Sequence, residues 1–313
     1  MRRHRELQKH YKEMAKASAQ AQAAYEVQEF ENYLELLVSL HRDRSDVWGW
    51  QGLATAAPPA APQRASRNEA HAAHALQAYV PGFFDKLLGG AKKRTTELQL
   101  ALEQARQADQ YEFGEQTKAY QAHYSLWEYR RYLSQKILAR DTSAYFDALQ
   151  HAGAFDELVA FQTQVAIAEA APDAVVLACS IDATSPVPNE ELKLTAAGKV
   201  STKAMAPARF WALHQDFVCS SALRVAGEAL AVLPIDRAVV NVGAVQTNTA
   251  TGHPEFFTFL AVHFARSTLL GLNLTQVDAS DCMKNFPHRM KFKKTSGLEP
   301  VEAMSLSENW VST

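Results

Sequence analysis

Between Arg2 and about His41 the chain holds neither glycine nor proline, and between Ala91 and about Ala139 it holds one glycine, Gly114. Long stretches without a helix breaker, rich in Ala, Gln, Glu and Leu, favour helix over any other regular structure. Every convincing strand pattern lies after Asp141. The contrast predicts two modules: a coiled-coil-like helical hairpin over residues 1–140 and an α+β domain over residues 141–313.

Apolar residues recur at three- and four-residue steps in the first stretch, through Leu7, Tyr11, Met14, Ala17 and Ala21, then Phe30, Leu34, Leu37 and His41. This is the pattern of one long amphipathic helix. A connector over residues 54–63 follows, with Pro58, Pro59 and Pro62. Ser66 with Glu69 three residues on reads as a capping box for a helix to Ala78, closed by Pro81-Gly82. In the second long helix Leu98, Leu102 and Ala105 share one face, as do Tyr120, Tyr124 and Trp127. Two helices of this length, joined by about fifty residues, are expected to pair antiparallel. Asp109 and Glu112 interrupt a strict heptad seam.

In the second half, Asp141 reads as the cap of a short helix ended by Gly153. Val159 to Ala168 alternates and Ala174 to Ile181 is a continuous β-favouring run, which gives a hairpin turning at Ala171-Pro172-Asp173. Leu192 to Met205 reads as a short strand or loop pair around Gly198. Pro207 then opens a helix carrying Phe210, Leu213, Phe217, Ala222, Val225, Ala229 and Leu233 at helical spacing, stopped by Pro234. Ala238 to Val245 and Glu255 to Phe264 supply two more strands, and the tail from Asp278 supplies a short helix and an extended stretch near Glu299 to Ala303. One long core helix flanked by strands implies a mostly antiparallel sheet.

Net charge is +4 up to Arg140 and −6 beyond it, so neither module offers the strong field that drives non-specific binding to nucleic acid or anionic membranes. The three cysteines are odd in number, widely spaced and in apolar surroundings, which fits a reducing compartment. The basic start, Met1 to Arg5, is not followed by an apolar run, and no stretch approaches the ~20 apolar residues of a spanning helix. A cytoplasmic location is expected.

Candidate chemistry is sparse. Asp182 with Glu191 and Lys193 matches the Asp and Glu-x-Lys arrangement with which some nucleases hold Mg²⁺ and orient the attacking water. Basic Lys284, Arg289, Lys291, Lys293 and Lys294, with Phe286 and Phe292 interleaved, suit a nucleic-acid backbone, or equally a strand guarding a sheet edge. Lys199 and Lys203 extend that candidate recognition surface. His71 and His74, three apart on a helix, lack a third metal ligand. Cys219 has His214 and Asp216 nearby in sequence, but a five-residue step places His214 away from it around the helix, so a buried structural thiol is expected. Lys92-Lys93-Arg94 reads as solvated charge. No P-loop and no G-x-S-x-G elbow is present.

The segments Gly198 to Met205, Gln215 to Cys219, Leu223 to Ala226, Leu233-Pro234 and Asp278 to Asp281 resemble the C-terminal region of a family of uncharacterised bacterial proteins, and the His41 to Trp50 stretch with Pro58-Pro59 resembles its N-terminal part. The resemblance implies a bacterial origin and the two-module layout, and no catalytic residue. The expectation is a non-enzymatic binding or assembly module without a cofactor, meeting a protein partner or itself through the helical module. The alternative is a Mg²⁺-dependent nuclease or nucleic-acid-binding protein.

Overall fold

The computed structural model describes residues 2–82, 90–181 and 186–308, with side chains from residue 13 onward. In chain order it runs α1 (Arg2–Ser39), a 3-10 turn (Leu40–Arg42), α2 (Trp50–Thr55), α3 (Arg67–Ala78), α4 (Gly90–Leu138), a 3-10 turn (Thr142–Ala144) and α5 (Tyr145–His151). A 3-10 segment (Asp156–Phe161) leads to β1 (Gln164–Ala171), β2 (Ala174–Ser180), β3 (Glu190–Leu194), β4 (Val200–Ala204) and α6 (Pro207–Val232). Then follow β5 (Arg237–Thr247), β6 (Pro254–Ala265), α7 (Arg266–Gly271), α8 (Ala279–Cys282), β7 (His288–Lys293) and β8 (Gly297–Glu299). The fold is α+β, as the sequence predicts.

By backbone packing the chain divides into two units, Met1–Gly49 with Lys136–Thr313, and Trp50–Gln135. The division does not follow the expected boundary at residue 140, because α1 packs on α6, β3 and β4. Two further details differ from expectation. Val159 belongs to the 3-10 segment, and the alternation that signals β1 begins only at Gln164. The basic run is not the sheet edge: β7 lies between β6 and the three-residue β8.

In the first unit the sheet order is β1-β2-β5-β6-β7-β8, antiparallel except for the parallel pair β2 and β5. A parallel pair needs a crossover, and α6 is that crossover. From Phe217 to Val232 nearly every α6 residue is buried, as expected of a helix apolar all round, with the sheet on one side and α1, α5 and α8 against the rest. Among the described side chains of α1, from residue 13 on, the buried ones are Ala23, Leu34 and Leu37, one narrow stripe of the helix.

Polar side chains then lock the chain leaving α1 onto α6. The His41 N–H donates to Ser220 Oγ at 3.1 Å and its Nδ1 lies 2.9 Å from the same oxygen. Arg224 donates to the Leu40 carbonyl at 3.4 Å and to Glu157 at 2.9 Å, and sits 3.0 Å from Glu228. Glu228 accepts the Ser45 N–H at 3.0 Å, and the Ala231 carbonyl accepts the Trp48 N–H at 3.0 Å. Positions 220, 224, 228 and 231 recur at the helical period, so segment 40–48 runs along one stripe of α6.

The opposite face of the sheet carries the C-terminal segment as a strap. The Val301 N–H donates to Thr258 on β6, Asn241 on β5 exchanges two hydrogen bonds of 2.9 Å with the Met304 backbone, and the Leu306 N–H donates to Glu169 on β1 at 3.1 Å. Met304 thereby seals Val176, Val239 and Ala261.

In the second unit α3 is capped by α4. Ser66 makes no side-chain cap bond; the expected capping box is replaced by Asp109, whose carboxylate accepts the Asn68 N–H at 3.2 Å, the Asn68 amide at 2.8 Å and the Glu69 N–H at 2.8 Å. Arg106 pairs with Glu69 at 2.9 Å. The residue that breaks the heptad pattern is therefore the one that fixes α3. The Glu69 N–H, then the Asn68 donors and Arg64, hold the Asp109 carboxyl below the usual carboxylate range.

Removing Glu228 takes the acceptor from the part-buried Ser45 N–H and leaves Arg224 one partner short. Glu228→Ala is expected to lower stability by about 2–3 kcal/mol in urea unfolding, and Glu228→Gln, which keeps an acceptor for Ser45, by roughly half that. Asp109→Ala is expected to speed amide exchange in residues 67–78 roughly fivefold or more. Because the Asp109 pKa is depressed in the folded state, its contribution is present above the unfolded carboxylate pKa and fades as pH falls through the folded one. The same amides should therefore lose protection in acid in the parent chain, and Asp109→Ala should lose this dependence.

Candidate functional site

Several of the sequence-predicted residues make contacts within the fold. Asp182 is outside the described residues. Glu191 and Lys193 sit on β3, in a two-stranded ribbon with β4 that packs on α1. Glu191 receives Lys193 at 2.9 Å and Arg209 at 2.5 Å. The Lys193 ammonium first, then Arg209 and Lys203, hold its carboxyl below the usual range. A carboxylate already holding two cations is poorly disposed to take a metal. Among the described residues no three His, Cys, Asp or Glu side chains converge as metal ligands. Lys199 lies on the ribbon's turn and Lys203 on β4, both exposed.

The basic run is largely paired within the fold. Arg289 donates to the Ala303 carbonyl at 2.9 Å and pairs with Glu308 at 2.6 Å, holding the strap. Lys293 pairs with Glu299 at 2.5 Å and Lys284 with Asp281 at 2.6 Å. Lys291 and Lys294 are exposed. Phe286 is buried, its ring edge-on to Phe264 at 4.7 Å, so it offers no face for a base to stack on.

Cys219 is buried with its sulfur 3.8 Å from Met290 Sδ, and burial first, then Asp216, pushes its thiol well above the ordinary value. That is the structural thiol expected, not a nucleophile.

The geometry singles out a residue that sequence spacing considered only as a partner for Cys219. His214, on the second turn of α6, is 8% exposed, and its Nδ1 is buried without a hydrogen-bond partner. It lines a cavity of about 190 Å³ with Ile181, Trp211, Ala244, Gln246, Phe259, Leu298 and Pro300. The floor is buried, whereas Gln246 and Pro300 are exposed at the rim. Trp211 stands edge-on to the imidazole at 5.7 Å and Phe210 lies parallel to it at 6.5 Å.

Two glycines shape this space. At Gly243 the β5–β6 register shifts, and a Cβ there would strike the Phe257 carbonyl. Gly297 has φ +81° and lies under the Trp211 ring, where a side chain would displace it. The result is a chamber walled by Trp211, Phe259, Ile181, Ala244 and Leu298, with the His214 imidazole and the Gln246 amide as its polar groups. Burial pushes the His214 pKa from 6.5 down to about 4.

No family model, curated protein or solved structure matches the chain. The resemblance to a bacterial family gains no support from these comparisons. No helix among the described residues is long and apolar enough to cross a membrane.

The depressed pKa carries a definite sign. Between pH 6.5 and 4 the unfolded chain binds the His214 proton and the folded chain does not, so stability is full above about 6.5 and falls as pH drops toward 4. The loss should be on the order of 3 kcal/mol at the acid end. Urea midpoints measured across this range should fall more steeply for the parent chain than for His214→Phe. Parallel profiles would show that the imidazole is not held neutral.

Proposed function

We propose that the protein is a non-enzymatic assembly module whose long helix α4 associates with a second copy of the chain. The observation that supports this is a line of exposed apolar side chains. Leu100 (59% exposed), Tyr111 (72%) and Tyr129 (41%) follow one another on α4 at eleven and eighteen residues. Eighteen residues is five turns, and eleven falls about 20° from three, so the three lie nearly on one straight row of a helix about 74 Å long. Leu126 and Tyr132, also exposed, flank Tyr129 one turn away on either side.

Exposed aromatics in such a row are costly to leave in water and are the side chains that carry most interface energy. The enzymatic alternative has less to rest on, since Glu191 is held by Lys193 and Arg209 and the basic run is largely paired. Binding therefore accounts for more of the exposed surface than catalysis does.

Sedimentation equilibrium of the full chain tests the reading. A concentration-dependent dimer or higher species is expected, and the double substitution Tyr111→Ser with Tyr129→Ser should weaken it at least ~tenfold while far-ultraviolet circular dichroism stays unchanged. A chain that stays monomeric at high concentration, or an assembly indifferent to both substitutions, overturns it.

A further inference from the structure

We propose that the outer edge of β1 docks an extended, basic peptide segment of a partner protein. The segment, of pattern Lys/Arg-x-Leu/Phe-x-Lys/Arg, adds a strand to the sheet and seats its apolar side chain between β1 and α5. The site lies within the sheet-bearing unit and does not depend on the assembly reading of α4.

The backbone decides the kind of partner. β1 ends the sheet order, and no described residue bonds to the backbone along its outer edge. Alternate N–H and C=O groups of an edge strand point away from its one neighbour, a row that another extended chain satisfies in full. Natural sheets blunt such edges with lysine, proline, bulges or very short strands. The opposite edge is blunted in this way: β8 has three residues, and its Glu299 pairs with Lys293 on β7. β1 is eight residues long and reads Gln-Val-Ala-Ile-Ala-Glu-Ala-Ala, without lysine, arginine or proline. Its register shift falls between Ile167 and Glu169 and leaves Gln164 to Ile167 in regular pairing with β2.

Side chains narrow the choice further. Along this regular stretch Val165 and Ile167 form one wall of a groove of about 220 Å³, and Phe146 and Leu149 of α5 with Phe155 form the other. Phe146 is 56% exposed and leaves the groove open to solvent. Side chains of an added strand alternate between the two faces of the sheet, so those on the α5 side run along this groove. An apolar cavity of about 150 Å³ takes up benzene, so one Leu or Phe side chain fits here. Charge then selects its neighbours two residues to either side. Asp156 stands at the lip of the groove and Asp147 follows Phe146 on α5; both are exposed, and neither pairs with a cation among the described residues. The chain holds no Lys or Arg from Asp141 to Leu192. No such cation of α5, the following turn or β1 therefore repels a basic segment, whereas an acidic one meets two carboxylates.

The probe is the peptide fluorescein-Thr-Lys-Thr-Leu-Thr-Lys-Thr-amide, titrated with the full chain by fluorescence anisotropy, while amide hydrogen exchange is read on β1. The expected result is saturable binding that weakens with salt and slows exchange at alternate amides in residues 164–167. The same peptide with Glu in place of Lys should bind at least ~tenfold more weakly. Methylating alternate peptide nitrogens should abolish binding in one phase and spare it in the other, because only one set faces β1. Phe146→Ser should weaken binding at least ~fivefold, and Asp147→Asn with Asp156→Asn should remove most of the salt dependence. Binding that does not saturate, that is indifferent to peptide charge or to the phase of methylation, or that leaves exchange in β1 unchanged overturns the proposal. So does protection of those amides in the free chain that grows with its own concentration, which would assign the edge to a second copy. Should a variant fail to fold, the charge and methylation series on the parent chain decide the matter alone.

Discussion

The sheet-bearing unit depends on a stripe of polar groups on an otherwise apolar helix. α6 is buried on nearly all sides, and a helix of that kind has no intrinsic preference for which neighbour lies where. Ser220, Arg224, Glu228 and the Ala231 carbonyl supply the preference, each fixed to a particular atom of segment 40–48. Glu228 is 1% exposed, and a buried carboxylate in the wrong register would face apolar side chains instead of the Ser45 N–H. The stripe thereby sets where α1 ends on α6. With α1 placed, Gln20 reaches the Ala197 carbonyl and Tyr33 the Pro186 carbonyl, so the β3–β4 ribbon is positioned by the same lock.

This explains which parts of the fold the amino-acid order discloses. Element identity follows from periodicity: the two long helices, the hairpin at Pro172 and the core helix between Pro207 and Pro234 all lie where their patterns place them. Grouping does not follow, because it is decided by single polar contacts that leave no period. Asp109 looks like an interruption of an apolar seam until Asn68 and Glu69 are seen to bring it their N–H groups from forty-odd residues away. The strap is hidden for the same reason: Asn241 in the middle of an apolar strand reads as a blemish, and its partner, the Met304 backbone, has no side-chain signature.

Candidate sites mislead in a related way. Glu-x-Lys at Glu191 and Lys193 is a salt bridge along one strand face, where alternate residues are neighbours, and Arg209 completes it. The alternation of basic and apolar residues in β7 is what a strand shows when one side faces α6 and the other carries paired charges; Met290 meets Cys219 while Arg289 ties down the strap. His214 was legible only in part. The cluster Phe210, Trp211 and His214 at the start of a core helix announces an aromatic corner, but nothing in it says that the imidazole faces a space rather than a partner.

That space stays open through the backbone at two glycines and through one small side chain. Gly243 lets β5 and β6 shift register beside Ala244, and the closeness of the Phe257 carbonyl leaves no room for a Cβ there. Gly297 turns at positive φ so that Trp211 can lie across it. Trp211, held there, roofs the chamber, and Ala244 provides a floor too small to fill it. Close packing would normally remove a void of this size through a larger residue; Gly243 and Gly297 admit none, which leaves the small Ala244 as the position that keeps the space open. The sheet's turn at its β8 end and the β5–β6 bulge thus bound the cavity, and His214 and Gln246 are the polar side chains in its lining.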